Sequence, residues 1–232
     1  MECIVLAGGL GTRLQSVIGA YPKCMAEVNG KPFLHYLFDY IEQQGCTRVI
    51  LSLGFKHEVI LEWLQQQHRK FEVDYVVETE PLGTGGGISL ALAKAKEQDI
   101  LVLNGDTMFQ VDLSGMMQYH TEKNAGTTLA LKQMHNFDRY GVVQIDENGS
   151  ITAFEEKKHY DKGLINGGVY IINKATLLSK HLPEKYSFEK DYFEKNVSDG
   201  MLFGYVSDAY FIDIGIPADY EQAKEDFKKN LE

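Results

Sequence analysis

Four short stretches of this chain carry residue types that phosphate chemistry needs. The first, LAGGLGTRL at positions 6–14, follows the apolar run ECIV and holds Gly8, Gly9 and Gly11 with Thr12 and Arg13. Glycines permit positive φ and close backbone approach, so successive amide hydrogens can converge on phosphate oxygens while Arg13 adds a forked cation. It is not a Walker loop, because no Gly-Lys-Ser/Thr closes it. Nor is it a dinucleotide fingerprint, because Leu14 stands where GxGxxG needs its third glycine. On its own, such a turn can also be purely structural.

In YPKCM, Lys23 stands just beyond Pro22, whose ring restrains the backbone and can fix where the ammonium points. Alone it would read as a solvated surface lysine. ETEPLGTGGGI reads as a loop from a strand into a helix, with Gly83, Gly85, Gly86 and Gly87 leaving bare backbone for a flat ligand, or as structural glycines at a helix start. LVLNGDT ends an apolar strand with Asp106 at its carboxyl edge, and FIDIG puts Asp213 in a similar position. Two such carboxylates could meet at one Mg²⁺ carried by phosphates, or be unrelated turn acids.

Elements that position these residues follow from the hydrophobic pattern. ECIVLA, RVILSL, FEVDYVV and DILVLN read as strands. They alternate with helices carrying Phe33, Leu34, Leu37, Phe38 and Ile41, then residues 58–67, then ISLALAKAKE. That βαβ rhythm predicts an α/β fold, a mainly parallel sheet covered on both faces, with ligands at the carboxyl ends of the strands. GTTLALKQM, GVVQID and SITAFEE are closely spaced and joined by turns such as DENGS, which predicts a small antiparallel lobe over the sheet. The strand GLINGGVYII, two helical stretches, the strand DAYFIDI and a helix after Pro217 complete the pattern.

With 232 residues and 44% hydrophobic content, the chain can bury a proper core and reads as one domain. A net charge of -10 argues against nucleic acid and anionic membrane as partners. No apolar run is long enough to span a bilayer, and the N-terminal run is too short for a signal peptide, so a cytoplasmic location is expected. Cys3, Cys24 and Cys46 are too few and too scattered for a disulfide framework or a CxxC site, and the seven histidines form no HExxH. Any metal should therefore be oxygen-bound.

Taken in order, the four motifs resemble those of the nucleoside-diphosphate-sugar pyrophosphorylases, the sugar-1-phosphate nucleotidyltransferases, and the likeness runs from Met1 to about Tyr220. The resemblance implies a Rossmann-like three-layer α/β/α fold of the GT-A type. A nucleotide half would cover residues 1–110 and a sugar-phosphate half 111–232, without the left-handed β-helix of hexapeptide repeats that many members carry. It also implies site residues. Leu6, Ala7, Gly8, Gly9, Gly11, Thr12 and Arg13 would hold a triphosphate, with Lys23 at phosphate near the reacting centre. Glu78, Pro81, Gly83 and Thr84 would frame the base, and Asp106 with Asp213 would hold Mg²⁺. Tyr140 and Gly141, Glu156 and Lys157, and Asn166 and Gly167 would line the sugar phosphate, Lys157 meeting its phosphate.

The stretches ALKQM, FDRYG, FEEK, GLINGGVY and YFIDIGIP resemble most the branch that joins a guanylyl group to a heptose 1-phosphate for capsule, S-layer or other surface glycan synthesis. GTP and a sugar 1-phosphate are the implied partners, with a homo-oligomer left open. Placed at the base by that resemblance, Glu78 favours GTP, since a carboxylate suits the N1 and N2 donors of guanine and repels the carbonyls of uracil. Cys24 stands where relatives commonly have a second proline; beside a cation it reads as an inert thiol or an oxidation-sensitive thiolate. The alternatives are a mannose- or glucose-1-phosphate nucleotidyltransferase, a metal-dependent glycosyltransferase and a non-catalytic nucleotide-sensing subunit.

Overall fold

Strands with near-continuous apolar runs lie at the centre of the structure, a computed structural model that describes residues 1–9, 11, 13–19 and 21–228. In chain order the elements are β1 (Glu2–Ala7), α1 (Gln15–Ile18), β2 (Glu27–Val28), β3 (Lys31–Pro32), α2 (Phe33–Gln43), β4 (Arg48–Leu53) and α3 (His57–Leu64). They continue with β5 (Glu72–Val77), α4 (Gly83–Leu92), β6 (Asp99–Asn104), β7 (Thr107–Phe109), α5 (Leu113–Glu122), β8 (Thr127–Phe137), β9 (Val143–Ile145), β10 (Ile151–Phe154) and β11 (Tyr160–Asn173). Last come α6 (Lys174–Leu178), a π-helical turn (Phe188–Phe193) running into α7 (Glu194–Asn196), then β12 (Leu202–Ser207), β13 (Phe211–Asp213) and α8 (Pro217–Lys228).

Seven strands form one sheet in the order β12-β8-β11-β6-β1-β4-β5. β1 pairs in parallel with β4 and β6, β5 with β4, and β12 with β8, while β11 is antiparallel to both β6 and β8. The expected mainly parallel α/β sheet is therefore present. Alternate residues of each central strand feed two separate cores, as a two-sided sheet requires. One face buries Val5, Leu51 and Leu103 against Phe33, Leu37 and Phe38 of α2; the other buries Ile4, Ile50 and Val102 against Ile88 and Leu92 of α4 and Phe188 and Phe193.

Several expectations are corrected. GTTLALKQM does not join GVVQID and SITAFEE in a separate lobe: β8 is a strand of the main sheet, paired with β11, while β9 and β10 form an antiparallel pair of their own. α4 covers residues 83–92 rather than 88–97, because its glycines are helical and carry packing. A side chain on Gly85 would strike the Tyr186 ring and one on Gly86 the Glu184 carbonyl, so these two face protein rather than a ligand. α3 stops at Leu64, where the exposed Gln65 and Gln66 offer no apolar anchor. Of DAYFIDI only Phe211–Asp213 is a strand, and it pairs with β7 outside the main sheet. β12 and α5 carry no clear sequence signal, the first being a short edge strand interrupted by Gly204.

Among the described residues no helix is long and apolar enough to cross a membrane. All three cysteines are free and buried.

Candidate active site

The carboxyl ends of β1, β4, β5 and β6 open into a cleft of about 660 Å³. Leu6 and Ala7 line it from the end of β1, Gly8, Gly9, Gly11 and Arg13 from the first loop, Glu78 and Pro81 from the loop before α4, Gly83 and Thr84 from the start of α4, and Lys23 and Asp106 line it too. Thr12 lies outside the described residues. Gly11 adopts φ +57°, and a side chain there would press to 3.0 Å from the Lys23 Cβ, so this glycine is needed both for the turn and for the lysine beside it. Gly105, not singled out by sequence, lets the end of β6 close on the first loop: its N–H donates to the Leu6 carbonyl at 2.9 Å, and a Cβ would sit 2.6 Å from that oxygen.

Lys23 opens a short 3-10 turn over Lys23–Met25, entered through Pro22 at φ -58° and ψ 136°. Its ammonium donates to Asp106 Oδ2 at 2.6 Å and to Asp213 Oδ1 at 3.3 Å. The two carboxylates, 107 residues apart, meet because β13 pairs antiparallel with β7, which places Asp213 opposite Thr107. The Gly215 N–H at 2.8 Å then orients Asp213 Oδ1, and the Thr107 hydroxyl at 3.2 Å orients Asp106 Oδ1. Two hard oxygen donors converging on one cation suit a divalent ion whose remaining ligands are phosphate oxygens and water. Among the described residues no group of three or more His, Cys, Asp or Glu side chains is gathered to hold a metal, so a protein-only cage is not built.

Glu78 lines the cleft half-buried, with Oε2 accepting from the Leu82 N–H at 3.0 Å and Oε1 turned toward Gly8 and Gly87. Burial pushes its carboxyl up, and the Leu82 N–H partly opposes that rise. Burial, then the neighbouring Asp106 carboxylate, push the Cys24 thiol up to about 12, which selects the inert thiol over the thiolate.

Of the residues expected at the sugar phosphate, Tyr140 donates its hydroxyl to Asp213 Oδ2 at 3.3 Å, and burial followed by the Asp213 charge push its phenol well up, so it is a donor throughout the neutral range. None of the residues expected at the sugar phosphate, Tyr140 included, lines the cleft. Gly141 lies under the Glu155 carbonyl, and Glu156 and Lys157 are exposed on the connection between β10 and β11. Both ends of the Asn166 amide are occupied, one donating to the Tyr170 hydroxyl at 3.0 Å and the other accepting from the Gly168 N–H at 3.0 Å. Gly167 is buried against Phe109. Sequence reasoning missed Ser52, Gly54, Phe55 and Asn104, which also line the cleft, and Arg139, which lies 4.0 Å from Asp213 and is ion-paired to Asp219.

Comparison with known proteins agrees with this geometry. The family model described as nucleotidyl transferase matches residues 2–230. A D-glycero-alpha-D-manno-heptose 1-phosphate guanylyltransferase of Aneurinibacillus thermoaerophilus is 48% identical over 98% of this chain and 99% of its own. One of the same name from Campylobacter jejuni is 44% identical over 95% of this chain and 97% of its own. The crystal structure of HddC from Yersinia pseudotuberculosis complexed with GMP-PN superposes with a TM-score of 0.86 at 36% identity, covering 97% of this chain and 99% of that one.

Proposed function

We propose, for a chain that belongs to the nucleotidyl transferase family, the transfer of a guanylyl group from GTP to D-glycero-α-D-manno-heptose 1-phosphate, giving the nucleotide-sugar and pyrophosphate. The observation that carries this reading is that Lys23, paired with both Asp106 and Asp213, lines together with Asp106 the same cleft as the glycine-rich first loop. A triphosphate fits that loop, and its α-phosphorus would lie toward the cluster.

Charge governs the reaction. An oxygen of the sugar phosphate attacks the α-phosphorus in line, the bond to the bridging oxygen breaks, and pyrophosphate carries away the electron pair. The attacking dianion is already a nucleophile, so no general base is required. Two unit charges 4 Å apart repel by about 4 kcal/mol at an effective dielectric of 20, and both substrates carry several. Lys23 and Arg13, with the backbone N–H groups of the first loop, are placed to oppose that repulsion, and positioning with electrostatics supplies the rate. Mg²⁺ held by Asp106 and Asp213 would add the largest local positive charge at the phosphates. Glu156 and Lys157 would close on the sugar from the β10–β11 connection.

Glu78 carries the choice of base. Its carboxylate accepts from guanine N1 and N2, while its anchor to the Leu82 N–H fixes where it points. Glu78→Gln keeps the shape and one acceptor but supplies a donor that uracil tolerates. The GTP over UTP preference in kcat/KM should fall by about 10-fold, the size of one charged hydrogen bond. Equal preference in variant and parent would remove Glu78 from base recognition.

The reading is tested by pyrophosphate release from GTP, UTP or ATP with heptose, mannose or glucose 1-phosphates in the presence of Mg²⁺. GTP with the heptose phosphate should be fastest. No release from any pairing would overturn it.

A further inference from the structure

An acceptor dianion must reach a centre ringed by carboxylates. Asp106, Asp213 and Asp219 lie along one line of contacts, separated by two cations, Lys23 and Arg139. Lys23 is enclosed, with only 12% of its side chain exposed, and both its carboxylate partners lie within 3.3 Å. Arg139 differs. Its Nη1 donates to Asp219, in the first turn of α8, and its guanidinium lies over the Tyr140 ring at 5.4 Å from the centroid. Its Nη2 stands 4.0 Å from Asp213 Oδ2, too long for a hydrogen bond, and the side chain is 32% exposed. One arm of the fork is therefore fixed, and the other reaches toward Asp213 without a committed acceptor among the described residues.

We infer that Arg139 binds the phosphate of the incoming sugar 1-phosphate, and that Asp219 is the positioning residue that aims it; the inference rests on the function proposed above. A planar guanidinium with an uncommitted arm matches a phosphate better than a point charge does, because two parallel N–H donors fix the orientation as well as the place of the anion. Anchorage by Asp219 and stacking on Tyr140 hold the fork before the substrate arrives, which lowers the ordering cost of binding. Its charge also screens the arriving dianion from Asp213 and Asp219. Lys157 can meet the sugar from its exposed connection, but no ion pair joins it to this line of charges among the described residues.

Steady-state pyrophosphate release separates this role from a structural strap. Arg139→Ala should raise KM for the sugar 1-phosphate by about 10- to 100-fold, the range for a lost hydrogen bond to a charged group. The affinity for a non-hydrolysable GTP analogue, measured by calorimetry, should stay within about twofold. Arg139→Lys keeps the charge without the fork and should recover part of the loss, and Asp219→Asn should raise the same KM by less than Arg139→Ala does. An Arg139→Ala protein with unchanged sugar-phosphate KM, whatever its kcat or thermal midpoint, overturns the inference. Should that variant not fold, an unchanged KM in Arg139→Lys overturns it equally. A parent protein inactive with every nucleotide and sugar phosphate overturns the functional reading itself, a result distinct from an active parent whose variants keep the parental KM.

Discussion

Asp106→Asn is expected to lower guanylyl transfer by about 10²- to 10³-fold while the fold persists, a loss of the size seen when one preorganised charge is removed from a reacting centre. The asparagine is nearly isosteric and keeps one acceptor, and the backbone carbonyl of Asp106 still accepts from the Ile214 N–H at 3.1 Å. What changes is electrostatic. Lys23 loses the closer of its two carboxylates, and the oxygen pair shared with Asp213 no longer carries two negative charges. A divalent ion would then be held by one charged ligand, so the Mg²⁺ concentration for half-maximal rate should rise together with the fall in kcat. Activity titrated against Mg²⁺, with the thermal midpoint as control, reads both effects. Full activity with unchanged magnesium dependence would remove Asp106 from the site.

Much of that site was legible because its residues sit at the ends of strands that the hydrophobic pattern defines. ECIVLA, RVILSL, FEVDYVV and DILVLN each end at the cleft, and the residues just beyond them line it. Lys23 is different. Pro22 restrains the backbone beside it, but taken alone YPKCM still reads as a surface lysine; the meeting of β7 with β13 brings its two partners together. Arg139 was invisible for the same reason, since its partner Asp219 is 80 residues away and no local period connects them. The glycines left two readings open, and the structural one holds for two of them. Gly85 and Gly86 have the composition of a ligand loop, yet the 182–187 segment fills the space their missing side chains leave. A glycine announces a close approach without saying what approaches. The same limit applies to Gly167, whose neighbour is the ring of Phe109.

The sheet order explains why the lobe was misplaced. Closely spaced strands with turn signals predict antiparallel neighbours, and β8 does lie antiparallel to β11. Nothing local says whether such a ribbon stands apart or continues the main sheet, which depends on β11 pairing with β6. That pairing ties β8 and β11 to β6, whose carboxyl end leads directly into Asp106.

Acid should destabilise the protein in two steps, and Glu2→Ala should cost about 3–5 kcal/mol of folding stability, the range for breaking a buried ion pair by removing one partner. Glu2 is 3% exposed at the start of β1. Its Oε1 accepts from Arg48 at 2.5 Å, and its Oε2 accepts from the Lys96 and Glu97 N–H groups at 2.6 and 2.7 Å. Removing it strands two backbone donors and a largely buried guanidinium, though Asp74 at 3.0 Å retains part of the Arg48 pairing and places the loss toward the lower end. Burial alone would raise the Glu2 carboxyl, but the backbone donors and Arg48 outweigh it and hold it below its ordinary value. A depressed carboxylate stabilises the fold above its unfolded value, near 4.3, and that stability is lost as pH falls through the folded one. His120 acts at higher pH. It is buried, with Nδ1 2.8 Å from the Thr128 hydroxyl and Nε2 3.4 Å from Asp99. Burial lowers its pKa more than Asp99 raises it, so the neutral ring is favoured in the fold and stability falls as pH drops below about 6.5. Thermal midpoints measured from pH 8 to pH 3 should therefore fall first below about 6.5 and again below about 4.3. Glu2→Gln should reduce the lower step, to which the depressed Asp74 and Asp191 carboxyls also contribute, and His120→Gln the upper one, shared with His35, whose pKa burial also lowers; a parental profile that is level between pH 7 and pH 5 would contradict the buried neutral imidazole.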